Sequence, residues 1–451
     1  MTFSKLKLSQ AMLETLDSIE YKEMTSIQEQ SIKYILNGKD VIAQAKTGSG
    51  KTAAFGIGLL SNLDVKKFRV QSLILCPTRE LADQVSKELR KIARFKHNIK
   101  ILMLTGGESF GKQLGSLSHQ AHIVVGTPGR VLKHLNKKSL DLSHLKTFVL
   151  DEADRMLDMG FIEEIDAIIK FTPKDRQTLL FSATYDNDII QVSSNYLYNP
   201  VNIKTIEVEK PNFIEEKFYK SPNKIETLIK VLANFKSQKA IVFTNTKVQA
   251  KELVEELIKK NVDALAIHGD LEQYDRNDVL VQFANESSPI LIATDVAARG
   301  LDIKGLSMVI NYDLANSIET YTHRIGRTGR AGASGLAISI YSFEDENKIK
   351  DYTDREIEFY NDSDLKSYPD FDLKPKNITL VIEGGKKDKV RAGDILGALT
   401  GDAGLDANLI GKIDIYDRQS YVAIDRKYVE FAHKKLNNGK IKGKKFTTWI
   451  L

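Results

Sequence analysis

The sequence predicts an α/β protein: two units built on parallel sheets, then a small α+β domain. Three observations predict it. Short apolar runs alternate with amphipathic stretches up to about residue 205, and again from 215 to about 360. Strands that alternate with helices make βαβ units and a parallel sheet. One apolar run leads straight into a loop ending in Gly50-Lys51-Thr52, and another ends on Asp151-Glu152-Ala153-Asp154. The last 75 residues abandon the alternation for the order βαββαβ.

Taken in order, strands are expected near 41–44, 72–76, 101–104, 123–125, 147–150 and 179–182, with helices such as 80–93 and 160–169 between them. These span a first domain, residues 1–205. Residues 206–214 carry Pro211 and read as a connector. A second domain over 215–360 has strands near 240–243, 264–267, 290–293, 308–311 and 336–340, but no Gly-Lys-Thr loop. Two such units with one phosphate loop between them imply a nucleotide bound across a cleft. Residues 361–376 are polar with two prolines and read as a semi-extended linker. The final domain, 377–451, has strands at 378–383, 412–416, 421–424 and 446–450 and helices at 391–400 and 428–436, the arrangement of RNA-recognition folds.

At 451 residues each domain is large enough for its own core. The single cysteine, Cys76, excludes an intramolecular disulfide and a cysteine-based zinc site, and its apolar neighbours make it a packed thiol. No signal-peptide core and no apolar run of membrane-spanning length are present, so a cytoplasmic protein with no membrane partner is expected. The formal charge of +5 is uneven: residues 377–451 carry 14 basic against 9 acidic side chains, the whole excess. A basic module follows a neutral engine.

The chemistry starts at Ala45-Lys46-Thr47-Gly48-Ser49-Gly50-Lys51-Thr52, a phosphate-binding loop with Ala45 in the place of its first glycine. Gly48 and Gly50 let backbone N–H groups turn onto phosphate oxygens, Lys51 can reach the β- and γ-phosphates, and Thr52 can place its hydroxyl on Mg²⁺. Such a loop needs an acid on a neighbouring strand to hold the metal, and Asp151 fits. Glu152 is then placed to accept a proton from an attacking water. The chain is expected to bind and hydrolyse a nucleoside triphosphate, which the resemblance that follows makes ATP.

Residues 1 to about 360 resemble the helicase core of the DEAD-box RNA helicases, which implies two tandem RecA-like domains. Met24-Thr25-Ser26-Ile27-Gln28 resembles the adenine-reading Q motif, and Phe3 sits at the family's upstream aromatic position; Glu20 replaces a usual glycine. The resemblance makes Pro77-Thr78-Arg79, Gly106-Gly107 and Thr127-Pro128-Gly129-Arg130 RNA-backbone contacts, with Gln273, Arg276 and Thr294 in the second unit. It makes Ser182-Ala183-Thr184 the element that couples hydrolysis to unwinding, through Asp154, with His323 also in a coupling role. Gly300 would face the γ-phosphate, Asp302 the ribose, and Arg327 and Arg330 would be arginine fingers.

The run 389–399 resembles the C-terminal domain of the DbpA type of DEAD-box protein. That resemblance implies a hairpin of large-subunit ribosomal RNA and pre-ribosomal particles as partners, ribosome assembly as the process, and a monomer. Gln419 and Ile424 stand where stacking aromatics are usual, although Tyr421 is kept. RNA contacts are therefore expected from Lys386, Lys387, Lys389, Arg391, Arg418, Tyr421 and Arg426, and from the acid-free run 434–445. An ATP-gated RNA clamp that does not unwind shares nearly every residue with a helicase, and a DNA translocase is disfavoured by the Q motif and the tail.

Overall fold

The computed structural model describes residues 2–45, 48–184, 189, 194–205, 214–236, 239–298, 306–329, 334–349 and 358–451. Two compact units divide between Val208 and Glu209.

The first unit holds seven strands: β1 (Val41–Gln44), β2 (Ser72–Leu75), β3 (Ile101–Leu104), β4 (Ile123–Gly126), β5 (Thr147–Asp151), β6 (Gln177–Ser182) and β7 (Val201–Lys204). They pair in the order β3-β4-β2-β5-β6-β1-β7, all parallel. Alternate residues enter two cores on opposite faces: Val41, Ala43, Val149 and Phe181 in one, Ile42, Phe148, Leu150 and Leu180 in the other. Both faces are covered, which is why the strands read as unbroken apolar runs. β7 was not expected; it is a half-exposed edge strand with polar residues on one side.

This order places the ends of β5, β6 and β1 side by side, with Asp151 opposite Phe181 and Gln44 opposite Ser182. Ligands of open α/β sheets bind outside such strand ends, where the strand order reverses. The helix Lys51–Ser61 leaves β1 through Gly50, whose φ of +90° is the left-handed region that glycine enters without strain. Gly58 of that helix has no room for a side chain: a Cβ there would lie 2.3 Å from Ile35. That contact presses the helix Ser26–Leu36, which carries Gln28, against the helix of the phosphate loop.

The second unit repeats the plan with β8 (Ile214–Lys220), β9 (Ala240–Thr244), β10 (Ala264–Ile267), β11 (Ile290–Thr294), β12 (Met308–Asn311), β13 (Gly335–Tyr341) and β14 (Glu358–Asn361), in the parallel order β10-β11-β9-β12-β13-β8-β14. β8 and β14 escaped the sequence reading because charge interrupts them; Lys217 of β8 pairs with Glu215 and Glu358. The segment expected to be a linker lies on this core: Leu365 is buried, Phe371 and Leu373 pack beside it, and Leu373 bridges Val262.

The tail forms an antiparallel sheet in the order β16-β17-β15-β18, from β15 (Asn377–Ile382), β16 (Ile410–Ile415), β17 (Ser420–Asp425) and β18 (Thr448–Ile450). Helices Ala392–Gly397 and Val429–Asn438 complete the βαββαβ order. One face of the sheet packs on these helices through Leu380, Ile382, Val422 and Ile424. The other carries Val381, Tyr421 and Trp449 and is covered by Val281 of the helix Gln273–Ala284. Around that patch Tyr421 donates to Asp278 (2.8 Å), Gln419 to Tyr274 (2.7 Å), Asn285 to Thr379 (2.9 Å) and Arg426 to Asp263 (2.7 Å). No described helix is long and apolar enough to cross a membrane.

Candidate nucleotide and RNA site

At the strand ends of the first unit, polar groups are buried without being satisfied. Lys51 is 6% exposed and its ammonium folds back to donate to the carbonyl of Ala45 at 2.9 Å. Asp151 is 2% exposed; among the described residues its Oδ1 has no hydrogen-bond partner, and neither have Ser49 Oγ and Ser182 Oγ. Burial pushes the Asp151 pKa up to about 7 against the pull of Lys51, with Glu152 adding to the rise. A buried carboxylate with an open oxygen is costly unless a cation or donor meets it.

The next residues are held stiffly. Glu152 has φ +55° and ψ +54°, a region that side chains other than glycine seldom occupy. Its carboxylate accepts from Arg155 at 2.8 Å, both side chains being 4% exposed. Asp154 accepts from the amides of Ala183 (3.0 Å) and Thr184 (3.2 Å), so the Ser182–Thr184 segment and the acid tetrad form one bonded unit. Arg155 was missed by sequence reasoning; its only signal was lying three residues after Glu152 at a helix start.

Gln28 is buried, accepting from the Thr25 amide (3.0 Å) and donating to the Gly50 carbonyl (3.1 Å), which links its motif to the phosphate loop. Phe3 is 4% exposed and its ring lies parallel to Tyr21, 6.4 Å between centroids. Glu20 adopts φ +64°, so the turn that favours glycine persists with a larger residue in it. Cys76 is fully buried, and burial together with Asp151 pushes its thiol pKa up.

The expected RNA contacts of the first unit sit at helix starts. Thr78 caps the helix Arg79–Ile92 by accepting from Leu81, and Thr127 precedes the helix Pro128–Asn136 with Pro128 at its first position. Arg79 donates to the Gly106 carbonyl (3.1 Å) and meets Glu108 (3.4 Å), while Gly107 takes φ +73°.

In the second unit Arg324, which the sequence did not single out, is 2% exposed and saturated. It grips Asp295 with two nitrogens (2.7 and 2.8 Å), Asn245 (2.9 Å) and the Asp313 carbonyl (2.6 Å). Arg327, 6% exposed, lines a small cleft with Asp295, Thr320 and His323. Arg276 donates to the Ala297 carbonyl (2.8 Å), Gln273 to Asn277 (3.0 Å), and Thr294 ends β11. Thr47, Gly300, Asp302 and Arg330 lie outside the described residues.

In the tail, Lys386, Lys387, Lys389, Arg391 and Arg418 are exposed. Backbone bonds from Lys386 to Tyr416 (2.8 Å) and from Lys387 to Asp417 (2.9 Å) join their two loops, and Lys442 donates to the Lys389 carbonyl (3.0 Å). Tyr421, expected to face RNA, is instead 3% exposed and turned into protein, and Arg426 is engaged by Asp263 and the Pro375 carbonyl. The reason is the apolar patch on their sheet face, which the helix Gln273–Ala284 covers.

The DEAD/DEAH box helicase family profile matches residues 25–192, the helicase conserved C-terminal domain 223–332 and the DbpA RNA binding domain 379–449. The chain is 49% identical over 446 residues to the ATP-dependent RNA helicase DbpA of Escherichia coli (strain K12), covering 98% of each. The chain belongs to the DEAD-box RNA helicases. A Bacillus cereus DEAD-box ATP-dependent RNA helicase, CshA, is 45% identical over 77% of this DEAD-box chain and 67% of its own. The solved structure of S. cerevisiae Dbp5 bound to RNA and ADP BeF3 matches with a TM-score of 0.73 and 32% identity over 80% of this chain and 96% of that one. This DEAD-box helicase is thus an ATP-dependent, RNA-binding enzyme of the DbpA type, two RecA-like sheets followed by an RNA-binding domain.

Proposed function

We propose that this helicase separates short RNA duplexes next to a hairpin of large-subunit ribosomal RNA and serves ribosome assembly, as a cytoplasmic monomer. The observation that carries the target is the convergence of Lys386–Arg391, Arg418 and Lys442 at one exposed edge of a domain matched by the DbpA RNA-binding profile. With Tyr421 buried, stacking on the sheet face is replaced by capture of shape and phosphate at that edge. The cover over that face also removes an apolar surface that would invite a second copy, which supports the monomer.

For the reaction, Lys51, Ser49 and the amides from Gly48 to Thr52 hold the phosphates, and Gln28 with Phe3 serves the adenine side. The residues present suit Mg²⁺: the Thr52 hydroxyl and the open oxygen of Asp151 are hard donors, few enough to leave water and phosphate as the remaining ligands. An ion held there by Thr52 and Asp151 would neutralise phosphate charge. Glu152, held by Arg155, accepts the proton of the attacking water. Arg327 and Arg330 neutralise charge that develops on the γ-phosphate, and Asp154 passes the change to Ser182–Thr184 and so to the RNA contacts.

The test is the ATPase rate of the full chain and of residues 1–376 with ribosomal fragments and with unrelated RNA at matched salt. The full chain should prefer the ribosomal hairpin, and the truncated one should respond to both equally and weakly. A truncated chain that keeps the preference moves specificity into the core and overturns the tail's role.

A further inference from the structure

Three segments read as RNA-backbone contacts, at Arg79, Gly106–Gly107 and Thr127–Arg130, come from separate parts of the first unit. One side chain that no motif singled out ties them together. Gln113 lies in the helix Phe110–Leu117 and is 3% exposed. Its Nε2 donates to the carbonyl of Thr105 (3.0 Å), the residue before Gly106, and reaches the Glu108 carboxylate at 3.5 Å. Its Oε1 accepts from Arg130 (2.8 Å) and lies 3.1 Å from His134 Nε2. Glu108 closes the network: its carbonyl accepts from Arg130 (2.9 Å) and its carboxylate meets Arg79.

The chemistry of the amide is fully used. Two acceptors face its nitrogen, and the Arg130 guanidinium and a ring nitrogen of His134 face its oxygen. His134 stacks on Phe110 (4.2 Å between centroids), and burial lowers its pKa to about 4, with Arg130 pushing the same way, so the ring stays neutral beside Arg130. One terminal nitrogen of Arg130 uses both hydrogens on Glu108 and Gln113. Its Nε and second terminal nitrogen bond to none of the described residues, and that edge is the fork a phosphate accepts.

We propose that Gln113 is a positioning residue for RNA: it aims the open edge of Arg130 and holds the carbonyl before the Gly106–Gly107 turn, so that separate segments present one phosphate-binding surface. The inference rests on the reading of Arg79, Gly106, Gly107 and Arg130 as RNA contacts. A glutamine is suited to this because it donates and accepts at once and leaves the arginine charge for the phosphate. A glutamate would pair with that charge and repel the Thr105 carbonyl.

The experiment titrates RNA against the ATPase rate of the full chain at saturating ATP, for Gln113→Met, Arg130→Ala and the double variant. Gln113→Met, similar in volume but without polar atoms, should raise half-saturating RNA about fivefold to tenfold. The rate at saturating RNA and the KM for ATP should stay within about twofold. Because Gln113 acts through Arg130, the double variant should need no more than about twice the RNA that Arg130→Ala needs. Three results overturn the inference: unchanged half-saturation in Gln113→Met, effects that multiply in the double variant, or a rate that falls together with weakened ATP. If Arg130→Ala leaves half-saturation unchanged, the RNA-contact reading itself fails; if only Gln113→Met does, the positioning role alone fails. Should Gln113→Met not fold, Gln113→Glu replaces it with the same expected rise, and wild-type half-saturation there overturns the proposal.

Discussion

The fourth strand of each seven-stranded sheet delivers an aspartate, and the two carboxylates are treated in opposite ways. Asp151, at the end of β5, is buried with one oxygen unmet among the described residues. Asp313, just beyond β12, accepts from the Asn245 amide (2.9 Å) and Gln249 (3.1 Å), with Lys224 at 3.6 Å. Its neighbour Asp295 is gripped by Arg324. One fold thus leaves a carboxylate oxygen unmet in one sheet and consumes its charges internally in the other. The two ends differ in hydrogen-bond satisfaction, not in backbone plan.

The largest expected effects fall on the unsatisfied end. Lys51→Ala should lower RNA-stimulated ATP turnover by at least about 10²–10³; near wild-type turnover would remove the distinction between the ends. Glu152→Gln should lower turnover by about 10²–10⁴ while retaining ATP, giving a long-lived complex with ATP and RNA in a filter-binding assay. If ATP binding disappears instead, Glu152 serves Arg155 and not water.

On the satisfied end the effect should be on folding. Arg324→Met strands the charge of Asp295 and should cost about 3–5 kcal/mol, read by chemical denaturation of the second unit. A loss below about 1 kcal/mol would show that the network is decorative.

The same substitution at the two acids sharpens the contrast. Asp313→Asn should destabilise by about 1–2 kcal/mol through its lost charged partners. Asp151→Asn should stabilise the nucleotide-free protein by about 1–3 kcal/mol while abolishing turnover. The sign follows from burial. The folded state raises the Asp151 pKa to about 7, so it favours the proton, and stability is lost as pH rises from the ordinary carboxylate range through 7. The advantage of Asn should therefore be larger at pH 8 than at pH 5, and a pH-independent gain would point to packing alone.

The smallest effect concerns the tail. Tyr421→Phe removes the hydroxyl that meets Asp278 and Gln419 and should cost about 1 kcal/mol without changing RNA affinity. Weakened RNA binding there would return Tyr421 to the RNA surface.

Most strands were legible in the sequence, and so was the Gly-Lys-Thr loop that follows β1. Buried parallel strands are apolar on both faces, and a phosphate loop needs its glycines, lysine and threonine consecutively. β8 and β14 were not legible, because Glu215, Lys217 and Glu358 neutralise one another across strands that are distant in sequence. Nor were Arg155, Arg324 and Gln113. Each looks like an ordinary polar residue until the partners that bury it are known.

By itself, the sequence determined the local patterns: the Gly-Lys-Thr loop after β1, the acids at the end of β5, the arginines of the second unit and the basic excess of the tail. These are short, contiguous patterns set by backbone and side-chain type. Tertiary structure decided which polar groups are spent and which remain available. It brought Ser182 beside Gln44 across 138 residues, turned Tyr421 into the helix Gln273–Ala284, and left the oxygen of Asp151 open. Hydrogen-bond satisfaction is a property of neighbours in space, and strand order rather than sequence spacing sets who those neighbours are.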